Sequence, residues 1–213
     1  MLRSQKLLNS LIAKLENNLG VLQGAPTSEN QTTSEEQKSE LPDFSEAPHD
    51  LFEQIDIRVG RIIECWRHPD SEKIYCEKID IGEENPRQIG SGLQKDVPIE
   101  SMSGLVLVMA NLKPRKLAGF PSEGMVLAVK VGESFDLVRP AEGSEVGERI
   151  GVEGGRLPQK SALERVLNPK KKVLEKCVPY LVTNSAGEAC FGDKRLITSQ
   201  GIIQTPASNS SIS

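Results

Sequence analysis

The sequence predicts an all-β protein centred on a small barrel of five strands. Between residues 51 and 150 the apolar residues fall in five short segments, several of which alternate apolar with polar residues. One helical turn is indicated, and it lies between the third and fourth segments. Aromatic residues make up only 4% of the chain, so the core must rest on Val, Ile and Leu. This order of elements is that of an OB-fold barrel.

The first three strands are indicated by alternation and by turn residues. The first is predicted over residues 55–63, where apolar and charged residues alternate and Gly60 marks a bend. A His-Pro-Asp turn at 68–70 separates it from the second strand, which is predicted over 74–81 and ends at a glycine. A short third strand is predicted over 87–91.

The second half of the barrel combines one helical turn with two strands. Residues 97–102 predict the helical turn, because a proline is tolerated near a helix start. Two strands rich in Val and Leu are predicted over 104–110 and 125–131, and they flank the basic segment 111–124. The OB-fold barrel is therefore expected to occupy residues 51–150.

Residues 151–213 predict a C-terminal extension that is rich in glycine at its start. A short helix is expected from Leu167 to Lys176, capped by Asn168 with Pro169 at its first position. Short strand-like segments follow it. The serine-rich residues 207–213 are expected to fray, on composition alone.

The first 23 residues predict an amphipathic helix. Its apolar residues are spaced alternately four and three apart, as in a heptad seam: Leu8, Ile12, Leu15, Leu19 and Leu22. Because the seam covers barely two heptads, the helix is expected to need a partner for stability. Residues 1–22 are therefore the predicted contact with another protein.

The same segment allows a second interpretation. Residues 1–15 carry Arg3, Lys6 and Lys14 and contain no acidic residue. An amphipathic, basic and acid-poor start is typical of an organellar transit peptide. The predicted localisation is cytoplasmic if the helix binds a partner, and mitochondrial or plastid if it is a targeting segment.

Residues 24–50 predict a disordered acidic linker, because they combine prolines, Ser, Thr and Gln with little apolar content. Residues 1–50 hold 4 basic and 8 acidic side chains, whereas residues 51–213 hold 22 of each. The net charge of −4 thus belongs to the N-terminal part of the 213-residue chain. Any binding of nucleic acid must come from a local basic surface.

Composition and residue spacing argue against several classes of protein. No apolar run approaches the ~20 residues needed to cross a bilayer. The four cysteines form no C-x-x-C pair and only two histidines are present, so neither a metal site nor a cofactor is expected. Nucleophile-elbow, P-loop and adenylate-forming synthetase signatures are missing, so the protein is not expected to be an enzyme.

Six motifs follow one another in order through residues 51–213, about three quarters of the chain. They are Asp-Ile-Arg-Val-Gly-Arg-Ile-Ile (56–63), His-Pro-Asp (68–70), Ser-Gly-Leu (91–93), Asn-Leu-Lys-Pro-Arg-Lys-Leu-Ala-Gly (111–119), Ser-Glu-Gly-Met (122–125) and Leu-Asn-Pro-Lys-Lys-Lys (167–172). On these motifs the sequence resembles the tRNA-binding domain of the endothelial monocyte-activating polypeptide II type. Such domains occur in synthetase-complex cofactors and at the ends of some tyrosyl- and methionyl-tRNA synthetases.

The resemblance implies an OB-fold barrel on which the C-terminal extension packs, where dimeric bacterial relatives place a second subunit. A monomeric folded body is therefore expected. The resemblance also implies a non-catalytic protein that binds tRNA with little sequence preference and assists aminoacyl-tRNA synthetases. Two other functions stay open. One is a stand-alone organellar tRNA-binding module. The other is an extracellular cytokine-like ligand, because residues 58–63 match the segment implicated in signalling relatives.

The basic loop between the fourth and fifth strands is the strongest candidate for an RNA contact. Lys113, Arg115 and Lys116 place three cations within four residues, and Pro114 stiffens the segment. A fixed group of cations suits contacts with phosphates. Arginine can donate two hydrogen bonds to one phosphate, whereas each lysine acts as a point charge.

The resemblance implies roles for four residues of this segment: Asn111, Lys113, Lys116 and Ser122. Relatives commonly carry an arginine where Ala118 stands, so the basic surface is expected to be weaker here. Arg115, often a small residue in relatives, is a candidate on its local chemistry alone and is expected to compensate.

Six further residues are candidates for the RNA surface that each have an alternative structural role. Arg58 and Arg61 lie on the polar side of the first strand, where pairing with nearby acids is the alternative. Tyr75 is a candidate for stacking on a base, with a place in the core as the alternative. The others form a lysine run at a predicted helix start, where packing and orientation are the alternative roles: Lys170, Lys171 and Lys172.

Overall fold

The barrel predicted from the sequence is present in the structure, a computed structural model that describes residues 42–155 and 166–213. A short helix, α1 (His49–Phe52), precedes it. The barrel region runs, in chain order, through β1 (Ile57–Arg67), β2 (Tyr75–Asp80), β3 (Arg87–Ser91), β4 (Gly104–Met109), β5 (Arg115–Leu117), β6 (Phe120–Ser122), β7 (Met125–Val126), β8 (Ala128–Val131) and β9 (Ser134–Leu137). A 3-10 turn at Ile99–Ser101, between β3 and β4, agrees with the predicted helical turn.

Five strands form one antiparallel sheet in the order β3-β2-β1-β4-β7. The backbone N–H of Glu123 donates to the carbonyl oxygen of Gln88 at 2.9 Å, which connects the residues before β7 back to β3 and nearly closes the barrel. The strand predicted over 125–131 is divided into β7 and β8, because β8 leaves the sheet and pairs with β9.

The first strand is longer than predicted, and its irregularity lies elsewhere. Gly60 is needed for close packing, since a Cβ at this position would lie 2.8 Å from Cγ2 of Ile79. The pairing of β1 with β2 shifts register between Ile62 and Glu64, as at a β-bulge. Beyond this point β1 continues in pairing with β2 as far as Arg67.

Strand β4 is buried on both faces. Val106 and Val108 of β4 belong to the core inside the barrel, together with Ile79. Leu107 and Met109, which alternate with them, belong to a second core on the outer side. A strand that is buried on both faces gives a continuous apolar run in the sequence instead of an alternating one.

The C-terminal extension shares that second core with the barrel. Its elements are β10 (Gly151–Val152), α2 (Val173–Cys177), β11 (Leu181–Thr183), β12 (Ala189–Phe191), β13 (Lys194–Thr198) and β14 (Gly201–Ile202). They form a sheet in the order β10-β13-β12-β11, with β14 paired to β13. Phe191 and Leu196 of the extension are fully buried in one core with Ile57 and Met109 of the barrel.

The helix predicted from Leu167 to Lys176 is present as two short pieces, a 3-10 turn (Pro169–Lys171) followed by α2. Asn168 caps the first piece as predicted, because its Oδ1 accepts a hydrogen bond from the backbone N–H of Lys170 at 3.0 Å. Lys172 adopts a left-handed conformation, with a φ of 52°, and this separates the two pieces.

The prediction of a disordered linker over 24–50 is wrong for its last nine residues. Residues 42–50 contain a 3-10 turn and the start of α1. Ala47 is buried directly against Gly192 of the extension, which has a φ of 61° and no room for a side chain. A single apolar residue that becomes buried, such as Ala47, hardly changes the composition of a polar segment, so composition does not predict its burial. Residues 24–41 and the predicted helix over 1–23 lie outside the described residues.

The expectation that residues 207–213 fray is also wrong. Ile212 is buried, and its backbone N–H donates to the carbonyl oxygen of Leu181 at 2.9 Å. Ser213 and Ala128 exchange two backbone hydrogen bonds, of 2.8 and 2.9 Å. One apolar side chain between serines therefore joins this segment to both the extension and the barrel.

One carboxylate lies inside the barrel. Glu77 of β2 is fully buried, and its Oε1 accepts a short hydrogen bond from the hydroxyl of Ser91. Its Oε2 has no hydrogen-bond partner among the described residues. Burial raises the pKa of Glu77 from 4.5 to about 7, and the Ser91 hydrogen bond opposes this shift.

Replacing Glu77 by glutamine is expected to flatten the dependence of stability on pH. Because the folded pKa is raised, this carboxyl stabilises the fold below about pH 4.5, and that contribution is lost as the pH rises towards and through about 7. Urea unfolding measures the free energy of unfolding of both proteins. The value for E77Q minus the value for the native chain should rise by about 2 to 3 kcal/mol between pH 5 and pH 8. An equal difference at both pH values would contradict the assignment.

Candidate nucleic-acid interface

The predicted basic loop contains a tight β-hairpin. Strands β5 and β6 pair antiparallel, with Leu117 opposite Phe120. The two residues between them, Ala118 and Gly119, have positive φ values of 48° and 91°, as in the tight turns that fit the twist of a hairpin. Glycine adopts this conformation freely, whereas an alanine adopts it at a cost of about 1 to 2 kcal/mol.

The three cations of the loop are accessible. Lys113, Arg115 and Lys116 are all exposed, and none of them makes an ion pair or a side-chain hydrogen bond with another described residue. Arg87, at the start of β3, differs from them, because its guanidinium is paired with Glu83 at 2.7 Å. The loop therefore presents three charges that an anion can neutralise without first displacing an acid.

The hairpin is held down on the barrel by its apolar side. A Cβ at Gly90 of β3 would lie 3.1 Å from Leu117 and 3.5 Å from Phe120, so glycine lets the hairpin pack closely on this strand. Ser122 is buried, and its hydroxyl accepts a hydrogen bond from the N–H of Gly90 and lies 3.0 Å from the carbonyl oxygen of Gly124. The structure therefore places Ser122 as an anchor of the hairpin.

Asn111 fixes the other end of the loop. Its side chain is buried, accepts a hydrogen bond from the N–H of Asp56 at 2.9 Å and donates to the carbonyl oxygen of Gln54 at 2.8 Å. Its backbone carbonyl accepts from the N–H of Leu167, where the extension returns to the barrel. Asn111 thus positions the loop, and its amide faces the protein instead of the solvent.

Replacing Asn111 by alanine is expected to lower the free energy of unfolding by about 1 to 3 kcal/mol, because it leaves the buried N–H of Asp56 and the carbonyl oxygen of Gln54 without their partner. Chemical unfolding measures this loss. Asn85→Ala is the matched control, since Asn85 is exposed and makes no side-chain hydrogen bond with the described residues. Equal stability of the two variants would contradict a positioning role for Asn111.

A groove of about 330 Å³ separates the hairpin from the extension. Lys113 and Arg115 line one side of it, and Asn168 and Pro169 line the other. The exposed lysine run follows directly after Pro169: Lys170, Lys171 and Lys172. The lysine run is therefore adjacent in sequence to the groove wall but does not line the groove, whose wall on this side also carries Glu175.

The two arginines of β1 differ from each other. Arg58 donates from Nη2 and Nε to Asp56 at 2.6 and 2.9 Å, and this hydrogen bonding raises the pKa of its guanidinium. Nη2 of Arg149 lies 3.4 Å from the same Asp56 carboxylate, and Oε1 of Glu83 lies 3.3 Å from Nη1 of Arg58. Arg58 is therefore committed to a structural ion pair, the alternative role considered for it, whereas Arg61 is exposed.

Tyr75 does not provide a stacking surface. Its side chain is fully buried in the core of the barrel, and its hydroxyl donates to the carbonyl oxygen of Val97 at 2.9 Å. No face of the ring is open to a base. The candidate role in base stacking is wrong for this residue, and the alternative place in the core is the one observed.

Within residues 42–155 and 166–213, neither a metal site nor a reactive thiol is found. No group of three or more His, Cys, Asp or Glu side chains in these ranges could hold a metal ion. All four cysteines are free thiols, and burial raises the pKa of Cys65 and Cys177 to about 12 and also raises those of Cys76 and Cys190. Over the same ranges, no helix is long and apolar enough to span a bilayer.

Comparison with known proteins assigns the family. The family profile described as "Putative tRNA binding domain" matches residues 57–149. The crystal structure of the C-terminal domain of Plasmodium vivax p43 superposes with a TM-score of 0.71 at 35% identity, over 76% of this chain and 98% of that one. The chain belongs to the tRNA-binding domain family.

Two relatives that share the tRNA-binding domain are longer than this chain. The aminoacyl tRNA synthase complex-interacting multifunctional protein 1 of Cricetulus griseus is 36% identical over 155 residues, which are 72% of this chain and 42% of that protein. The cytoplasmic tyrosine–tRNA ligase of Danio rerio is 35% identical over 203 residues, which are 93% of this chain and 35% of the ligase. The chain thus spans less than half the length of each.

Proposed function

We propose that this protein binds tRNA with little sequence preference and catalyses no reaction of its own. The observation that carries the proposal is the basic loop, whose three cations are exposed and unpaired and two of which, Lys113 and Arg115, line a groove next to the hairpin. Cations at fixed positions contact phosphates, which are the same in every tRNA. Lys113, Arg115 and Lys116 contact phosphates directly, Lys170 to Lys172 and Arg61 extend the surface, and Asn111 and Ser122 position the hairpin.

The proposal that the protein is not an enzyme is supported by how little of a ligase the chain matches. The tyrosine–tRNA ligase is much longer, and the chain corresponds to 35% of it. The sequence also lacks the adenylate-forming signatures of a synthetase. The protein accordingly delivers or retains tRNA for an enzyme that performs the chemistry.

The partner that we propose is an aminoacyl-tRNA synthetase or a protein of a synthetase complex. The name of the Cricetulus griseus relative states an interaction with such a complex. The heptad seam of residues 1–22 is the proposed contact, and a cytoplasmic location follows from it. The folded body is proposed to be monomeric, because the extension already packs on the outer face of β4 and of the first residues of β1.

A titration of the full chain with fluorescently labelled tRNAs of unrelated sequence tests the proposal. We expect all of them to bind with dissociation constants within a few-fold of one another, because phosphate contacts carry no sequence information. Binding of only one tRNA, or of none, would overturn it. Co-precipitation of synthetases from the source cells, with and without residues 1–22, tests the partner.

A further inference from the structure

The single tryptophan of the chain lies beside the basic hairpin. Trp66, near the end of β1, meets Phe120 of β6 edge to face, with ring centroids 5.8 Å apart and an interplanar angle of 87°. Both side chains are half-buried, so each ring keeps part of its surface in contact with solvent.

The pairing of the strands explains why the two rings meet. Trp66 lies opposite Cys76 on β2, and Cys76 lies opposite Gly90 on β3, so the three residues form one row across the sheet. Phe120 packs over Gly90 at the end of this row. The hairpin therefore covers the Gly90 end of the row, and Trp66 lies at the opposite end.

The hairpin that carries Phe120 also carries exposed cations. Arg115 lies opposite Ser122 and is therefore on the same face of the hairpin as Phe120, and its side chain is exposed. Glu64, the nearest acid before Trp66 in β1, is paired with Lys78 at 2.8 Å. Aromatic rings beside free cations form the surface on which single-stranded nucleic acid binds.

We propose that Trp66 and Phe120 form a stacking platform for an unpaired base of the RNA whose phosphates contact the hairpin. The inference rests on the proposed tRNA binding and makes it more specific. The platform lies between the β1–β2 connection and the β5–β6 hairpin, the region in which OB folds bind oligonucleotides. The preferred ligand is therefore RNA with unstacked bases, such as a loop or a free end, and a plain duplex binds through phosphate contacts alone.

A comparison of Trp66→Leu with Trp66→Phe in the full chain tests the platform. The probes are a tRNA, a 12-nucleotide single strand and a blunt 12-base-pair RNA duplex. Trp66→Leu should weaken binding of the single strand by about 5- to 150-fold, with the salt dependence and the duplex affinity unchanged. Trp66→Phe keeps an aromatic face and should retain most of the affinity.

The fluorescence of the native chain gives an independent readout, because Trp66 is the only tryptophan. We expect the single strand to quench it to saturation and the duplex to leave it unchanged. Urea unfolding of both variants shows whether each is folded. If Trp66→Leu loses its fold, the Phe variant and the quenching still decide the question.

The possible failures of this test are distinguishable. Native-like binding of the single strand by folded Trp66→Leu, or equal quenching by strand and duplex, would overturn the platform and leave the proposed tRNA binding intact. Absence of binding of all three probes to the native chain would overturn both. Loss of the tRNA affinity in Trp66→Leu together with a changed salt dependence would assign Trp66 to the packing of the hairpin and would also overturn the platform.

Discussion

Removing the three cations of the basic hairpin together will weaken tRNA binding by about 100-fold or more at 0.1 M salt. Each phosphate contact contributes about one unit to the dependence of the logarithm of affinity on the logarithm of salt concentration, so two to three lost contacts correspond to this factor. The variant is Lys113→Ala, Arg115→Ala, Lys116→Ala in the full chain. The measurement is a fluorescence titration with two unrelated tRNAs, and both should lose affinity alike.

A matched control separates this local effect from the loss of positive charge. Lys95, Lys130 and Lys194 make no ion pair with the described residues, and none of them lies on the hairpin or lines the groove. Their triple alanine variant removes the same net charge and should bind within about threefold of the native chain, because salt screens surface charges that do not contact the RNA. An equal loss of affinity in both variants would mean that total charge, and not the hairpin, determines binding.

Replacing Phe191 by alanine will lower the free energy of unfolding by about 3 to 5 kcal/mol, as is typical when a large buried aromatic side chain is removed. Phe191 is fully buried in the extension. Its ring stacks on Phe52 of α1 with centroids 4.1 Å apart, and His49 contacts it edge-on at 5.3 Å. The truncation therefore opens a cavity where α1, the extension and the barrel share one core.

Urea unfolding measures this loss, and Phe191→Leu is the control. Leucine retains much of the buried volume, so we expect it to cost less than half as much. A loss of less than about 1 kcal/mol in Phe191→Ala would show that residues 42–52 and the extension do not depend on this contact.

The strands of the barrel were predictable because they depend on local patterns. Alternation of apolar and polar residues located β1, and a turn and a glycine located the two ends of β2. The division of the fifth predicted strand into β7 and β8 depends on pairing with β9, which no pattern within the strand contains. The same holds for Ala47 and Ile212, whose burial depends on contacts with residues far away in the sequence.

The cations of the site were predictable, because a cluster of charged residues can be identified directly in the sequence. Lys113, Arg115 and Lys116 stand together in the sequence and remain exposed in the structure. The burial of Tyr75 could not be distinguished from exposure, because a tyrosine suits both the core and a surface. Trp66 was missed, since its partner Phe120 comes 54 residues later and only the fold brings the two rings together.

The dependence of tRNA affinity on salt concentration tests the central claim most directly, with the native chain and the Lys113, Arg115, Lys116 alanine variant measured side by side. If these cations contact phosphates, the slope of log affinity against log salt will fall by roughly 2 to 3 units in the variant, and by somewhat less where the contacted RNA is single-stranded. Equal slopes for the two proteins would contradict the claim, because they would place the phosphate contacts outside the hairpin.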